Sequence, residues 1–202
     1  MMIRRHLLAA VAALPVLIAA GPGRAQAIPL AQLSAYLNSI TTAEADFVQV
    51  NADGSRATGK VTIRRPGNMR FDYAGRNGGL VLASDGSVAI FDGKSNQGPQ
   101  QYPLSRTPLN LILGRDIDLS RARMVVGQQF DGTNTIIVAQ DPDRPEVGTL
   151  RLVFAPGPIL RQWVVTDQAG ANTQVTLGPM TLGKSYPFTL FSIAHEQERR
   201  GR

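Results

Sequence analysis

The sequence predicts a mainly β, antiparallel fold in a single exported domain. Three observations predict it: short apolar runs that alternate with a period of two, four Asp-Gly pairs lying between such runs, and an N-terminal segment patterned for export and removal.

The N-terminal segment comes first. Arg4, Arg5 and His6 form a positive head, and Leu7 to Ala20 is an apolar run interrupted only by Pro15. Ala25-Gln26-Ala27 supplies the small-x-small pattern at which leaders are cut, which places the mature start at Ile28. The apolar run is 14 residues long, short of the roughly 20 that a membrane-spanning helix needs, so a cleaved leader is expected rather than an anchor. Arg4-Arg5 ahead of Leu7-Leu8 resembles an incomplete twin-arginine signal, which leaves both export routes open. Residues 1–27 are read as a signal peptide and residues 28–202 as one domain in the periplasm, long enough for a sizeable core. With no cysteine there is no disulfide, no thiol chemistry, no cysteine-held metal and no residue to acylate at the cleavage point. Losing Arg4, Arg5 and Arg24, with no acids beside them, lowers the formal charge from +6 to +3. Such a dispersed excess does not call for nucleic acid.

In the mature chain, Leu30, Leu33, Tyr36, Leu37 and Ile40 recur at steps of three and four, one apolar face of a helix. The period then changes to two. Val61 and Ile63 alternate with Lys60, Thr62 and Arg64; Met69, Phe71 and Tyr73 alternate with Asn68, Arg70 and Asp72. Leu150, Leu152 and Phe154, then Trp163 and Val165, then Val175 and Leu177, continue the pattern. Asp53-Gly54, Asp85-Gly86, Asp92-Gly93 and Asp131-Gly132 carry the preferred residues of tight hairpin turns, and Pro66-Gly67, Gly78-Gly79 and Pro156-Gly157-Pro158 add further breaks. About ten short strands joined mainly by hairpins make an antiparallel meander rather than a βαβ chain. One central stretch interrupts it: Thr107-Pro108 opens a short helix through Leu113, and Leu119 to Met124 forms a turn.

No catalytic constellation can be assembled. His6 leaves with the leader and His195 lies in a charged tail, Glu196 to Arg202, that reads as solvated. Asp116 with Asp118, and Asp141 with Asp143, sit in loop-like sequence where Asp stabilises turns. Gly93-Lys94-Ser95 ends like a phosphate loop, but Val88 stands where the first glycine is needed. Arg64-Arg65 and Arg121 with Arg123 are short basic pairs without interleaved aromatics, so no nucleic-acid groove is expected. No enzyme activity, metal or cofactor is expected. What remains is a binding protein whose ligand needs little but apolar surface.

Asp46 to Lys94 adds a resemblance. Phe47-Val48-Gln49 is followed by Gly59-Lys60-Val61-Thr62-Ile63-Arg64-Arg65-Pro66-Gly67-Asn68-Met69-Arg70-Phe71-Asp72-Tyr73, then by Ser84-Asp85-Gly86 and Phe91-Asp92-Gly93. This order resembles the LolA family, the periplasmic carriers of outer-membrane lipoproteins. Thr107-Pro108-Leu109 is similar to the family's mid-chain helix start, Trp163 to Val175 to its later hairpin, and Leu190-Phe191-Ser192-Ile193 to its last strand. The resemblance implies an unclosed antiparallel β-barrel, a half-barrel of about ten to eleven strands, whose concave apolar face is covered by short helices. It also implies that acylated lipoproteins, released by an inner-membrane ABC transporter, are carried to an outer-membrane acceptor by a monomer without covalent chemistry. Each buried CH₂ is worth roughly 0.8 kcal/mol, so acyl anchors cross water only when shielded.

On that reading the apolar cavity is lined by Val61, Ile63, Met69, Phe71, Leu109, Ile112, Leu152 and Trp163, and Arg65 matches the family's arginine that ties the covering helices to the sheet. Met69 stands at an aromatic position of the family pattern, and the segment from Ala194 replaces its usual C-terminal extension. The parity of 61, 63 and 65 points Arg65 to the apolar face, where its donors need partners such as helix-end carbonyls. The same fold also resembles lipoprotein-sensing or lipid-shuttling domains, the alternative reading.

Overall fold

The computed structural model describes residues 26–201 apart from 77, 96 and 108. The expected signal peptide therefore lies outside the described residues except for Gln26 and Ala27.

Helix α1, Leu30–Ser39, precedes six strands: β1 Thr42–Val50, β2 Arg56–Arg64, β3 Asn68–Tyr73, β4 Leu80–Ser84, β5 Ser87–Phe91 and β6 Gln100–Pro103. A crossing segment with a 3₁₀ turn at Leu104–Arg106 and the one-turn helix α2, Asn110–Leu113, leads to six more: β7 Val125–Phe130, β8 Thr135–Gln140, β9 Gly148–Ala155, β10 Ile159–Asp167, β11 Asn172–Leu177 and β12 Thr181–Leu182. All pairings are antiparallel, in the order β6-β5-β4-β3-β2-β1-β11-β10-β9-β8-β7, with β12 on β1 beyond the end of β11. Edges β6 and β7 do not pair, so the sheet is an open half-barrel.

Three of the four Asp-Gly pairs turn a hairpin, at Gly54, Gly86 and Gly132, each with positive φ, whereas Asp92-Gly93 opens the longer connection from β5 to β6. Ser84 pairs with Ser87, leaving Asp85 and Gly86 as a two-residue turn with φ of 49° and 75°, the doubly positive geometry that suits Asp-Gly. Alternation sends Ala43, Ala45, Phe47, Val61, Ile63, Met69 and Phe71 to the concave face, where they join Leu33 and Leu37 of α1 and Leu111, Ile112 and Leu113 of α2 in one large core.

The convex face departs from expectation. The segment Leu190 to Ile193 is not a last strand: Phe188–Phe191 is a 3₁₀ turn after Pro187, and Ile193–Arg200 is helix α3. Ser192 caps α3 by accepting the His195 N–H at 3.2 Å, and Gly201 ends it at φ 68°. Nor is this end wholly solvated: it packs on the sheet, and Glu196 is buried while Glu198 and Arg199 stay exposed. Phe191, with Tyr186, Leu190 and Ile193, covers a second core of Leu80, Leu82, Ala89 and Phe91 on the outer side of β4 and β5. Glu196 is buried, its carboxylate accepting from Arg70 at 3.2 Å, Arg199 at 2.5 Å and Arg200 at 2.6 Å. Burial pushes the Glu196 carboxyl up, but the Arg199 and Arg200 bonds and the Arg70 charge outweigh it and hold it down at about 2.

Candidate functional site

All eight cavity candidates fall in the concave core. Val61 and Ile63 stand on β2, Met69 and Phe71 on β3, Leu152 on β9, Trp163 on β10 and Ile112 on α2, all buried, while half-buried Leu109 packs against them at the N-terminal end of α2. Phe71 packs across the concavity between the two halves of the curved sheet. Its ring meets Trp163 edge-on at 5.7 Å on one side and Phe47 at 5.4 Å on the other. The side chains pack on each other and on the helices. The 620 Å³ cavity lies elsewhere, at the lateral opening where Arg106, Leu111, Arg123, Met124 and Arg144 line the gap between α2 and the β8–β9 loop.

Arg65, just past the end of β2, reaches the helices. Its Nη1 donates to the Leu37 and Ile40 carbonyls, at the C-terminal end of α1. Its Nη2 donates to Asn38 Oδ1 at 3.0 Å, to the Gly114 carbonyl at 2.7 Å and to the Arg115 carbonyl at 3.3 Å, the last two following α2. Helix-end carbonyls have no partner inside the helix, and a guanidinium offers several donors in one fork. One side chain thus ties both helices to the sheet. Burial lowers the Arg65 pKa from its ordinary value, opposed by the charge of Asp116, and Nε is buried with no partner among the described residues.

Two polar residues that sequence reasoning left out complete the junction. Asn38 donates to the Ile117 carbonyl at 2.8 Å and accepts the Ile117 N–H at 3.0 Å, and Ser34 Oγ accepts the Leu119 N–H at 3.0 Å. Both sit on the α1 stripe, one place from Leu33 and Leu37, and a polar residue so close to an apolar face was the available signal. The outer core had a signal too. Leu80-Val81-Leu82-Ala83 and Val88-Ala89-Ile90-Phe91 are unbroken apolar runs, which in a strand imply cover on both faces.

The loop carboxylates act within turns. Asp118 accepts the Ser120 N–H at 3.0 Å, and Asp141 accepts the Asp143 N–H at 2.9 Å. No group of three or more His, Cys, Asp or Glu among the described residues is arranged to hold a metal ion.

The family model described as outer membrane lipoprotein carrier protein LolA matches residues 38–194. The chain is 28% identical over 187 residues to an outer-membrane lipoprotein carrier protein of Chromobacterium violaceum, a match covering 88% of this chain and 89% of that one. It is 32% identical over 84 residues to a protein of the same description from Methylococcus capsulatus, covering 39% and 40%. Among solved structures, a LolA superfamily protein from Nitrosomonas europaea aligns with a TM-score of 0.41 at 10% identity, over 82% of this chain and 98% of that one. The family match runs from the end of α1 into α3 and takes in the half-barrel, the crossing segment and Arg65. The chain belongs to the LolA family, whose members are carrier proteins rather than enzymes.

Proposed function

We propose that this protein is a periplasmic carrier, exported with loss of residues 1–27, that holds lipoprotein acyl chains on the concave face of its half-barrel and moves lipoproteins from the inner to the outer membrane. The observation that carries this reading is the cover of that face. Two short helices shield a largely apolar floor, and a single arginine bridges them to the sheet. Short helices are marginal by themselves and depend on their packing, so this cover is easily lifted compared with a hydrogen-bonded strand.

In this mechanism acyl chains displace α1 and α2 from Val61, Ile63, Met69, Phe71, Leu152 and Trp163, with Leu109 and Ile112 moving with the cover. Arg65 lets go of the helix ends as the chains enter and favours re-closure when they leave. No bond is made or broken. An inner-membrane ABC transporter loads the monomeric carrier, and an outer-membrane acceptor, where the host has one, unloads it.

The test is displacement of an environment-sensitive apolar dye by acylated peptide, followed by transfer of bound lipoprotein to isolated outer membranes. The reading requires dye binding that acylated peptide competes away and its unacylated counterpart does not. Dye binding no stronger than to an unrelated soluble β-protein would refute it.

A further inference from the structure

Phe188 is the most exposed large apolar side chain among the described residues, at 75%, yet it is held in place. Its ring lies over the Arg64 guanidinium, 3.6 Å from centroid to carbon. The 3₁₀ turn that carries it is fixed by buried Phe191 and by the Leu190 carbonyl, which accepts from Arg70 at 3.1 Å. Beneath the ring, Arg64 Nη1 is shut off from solvent and has no hydrogen-bond partner among the described residues. A guanidinium donor kept dry and unpaired is costly unless another state satisfies it.

The surroundings define what could do so. Arg64 pairs with Thr42, and Leu182, 53% exposed, pairs with Ala43 beside it, so both apolar side chains sit at one end of the half-barrel. Lys60 and Lys184 flank this end and share one carboxylate, Glu44, at 3.1 and 2.9 Å. Arg64 under a fixed aromatic ring, with Lys184 close by and Lys60 farther along the same strand face between Asp46 and Asp72, suits a surface with apolar depth and phosphate at its boundary.

We propose that this end docks on an anionic phospholipid surface, with Phe188 entering the acyl boundary and Arg64, uncovered as the ring moves, binding lipid phosphate. Lys184 and Lys60 add attraction. The proposal rests on the carrier reading for its purpose, since such a protein meets membranes at loading and delivery. Strand alternation gives the contact reach: Arg64 faces outward under Phe188, and the next residue, Arg65, holds the helix cover from within. Docking therefore acts one peptide unit from the latch.

The experiment measures co-sedimentation of the exported, processed protein with phosphatidylcholine vesicles with and without phosphatidylglycerol. Binding to the anionic vesicles, weakened by salt, is expected. Phe188→Ser should weaken it roughly tenfold or more, Arg64→Gln roughly fivefold, and Phe188→Trp should retain it and shift its emission to the blue on binding. Val126→Ser, at an exposed apolar position on edge strand β7, should bind as wild type does. Loss of vesicle binding in Val126→Ser equal to that in Phe188→Ser, or unchanged binding in Phe188→Ser, overturns the proposal. So does indifference of the wild type to both vesicles, including the case where this face crosslinks to a membrane protein instead. Acylated-peptide binding by the same samples separates the two readings. Peptide binding without vesicle binding ends this inference alone, and vesicle binding without peptide binding ends the carrier reading alone.

Discussion

Replacing Arg65 with leucine removes the only side chain among the described residues that bonds both helix ends to the sheet hairpin, and the structure sets the size of the effect. Hydrogen bonds to a charged group contribute about 1.5–3 kcal/mol each. The bonds to the Leu37 carbonyl, the Gly114 carbonyl at 2.7 Å and Asn38 Oδ1 at 3.0 Å are the strong ones; those to Ile40 and Arg115, both at 3.3 Å, add less. The freed carbonyls recover part of their loss from water once the helices lift. Removing the buried, unpartnered Nε recovers a little more. A net loss of roughly 3 kcal/mol in closure follows, about two orders of magnitude in the opening equilibrium. Native-state hydrogen exchange reads this directly: amides of residues 34–39 and 111–114 should lose about a hundredfold in protection, while β9 and β10 keep theirs. Cargo should bind Arg65→Leu at least as well as wild type, but transfer to outer membrane should slow because nothing favours re-closure. Arg65→Lys, a point charge without the planar fork, should fall between. If helix protection changes less than threefold, or falls only in step with β9 and β10, Arg65 is an ordinary structural residue and the latch is refuted.

Other outcomes follow from single sites. A carboxyl held near 2 in the fold stabilises above its ordinary value of 4.5 and stops doing so as pH falls to about 2. Glu196→Gln should therefore flatten the decline of Tm across that window and cost about 3 kcal/mol at neutral pH; an unchanged slope would sink the assignment. Gly59→Ala would place its Cβ 2.1 Å from the Asp72 carbonyl oxygen and 2.7 Å from the Phe47 ring, so chemical denaturation should show a loss of about 3 kcal/mol or more. Gly67→Ala meets open space at φ +82° and should cost only about 1 kcal/mol. Met69→Ala, at a fully buried position on the concave face, should destabilise by about 2–5 kcal/mol while admitting bulkier dyes; equal dye selectivity would remove Met69 from the ligand surface.

The strands, the hairpin turns and α1 were legible because each is written locally, in a period of two, in Asp-Gly pairs or in a three-to-four step. The apolar floor followed from the same parity. The helix α3 was not legible. His195-Glu196-Gln197-Glu198-Arg199-Arg200 has no apolar stripe, and its docking depends on Glu196 meeting Arg70, a residue far away in sequence. Proximity of that kind leaves no periodic trace. Arg65 was placed by parity and by its match to the family pattern, but its acceptors are backbone carbonyls, which every sequence possesses; only the fold determines which two helix ends arrive within its reach.

The strand order has a consequence for how the chain assembles. From β1 to β6 and from β7 to β11, every pairing joins consecutive strands; the halves meet along β1, which lies against β11, with Phe47 opposite Leu177 and Val50 opposite Gln174, and then against β12, with Ala43 opposite Leu182. The protein is thus two meanders sharing a seam, and the long-range closure entropy is concentrated along one edge of β1. As the chain is made from its N-terminus, β1 can zip to β2 at once while its other edge waits for the final third of the sequence. That waiting edge leads directly to the apolar floor, so the nascent protein exposes its greasiest surface until β11 arrives and completes the seam.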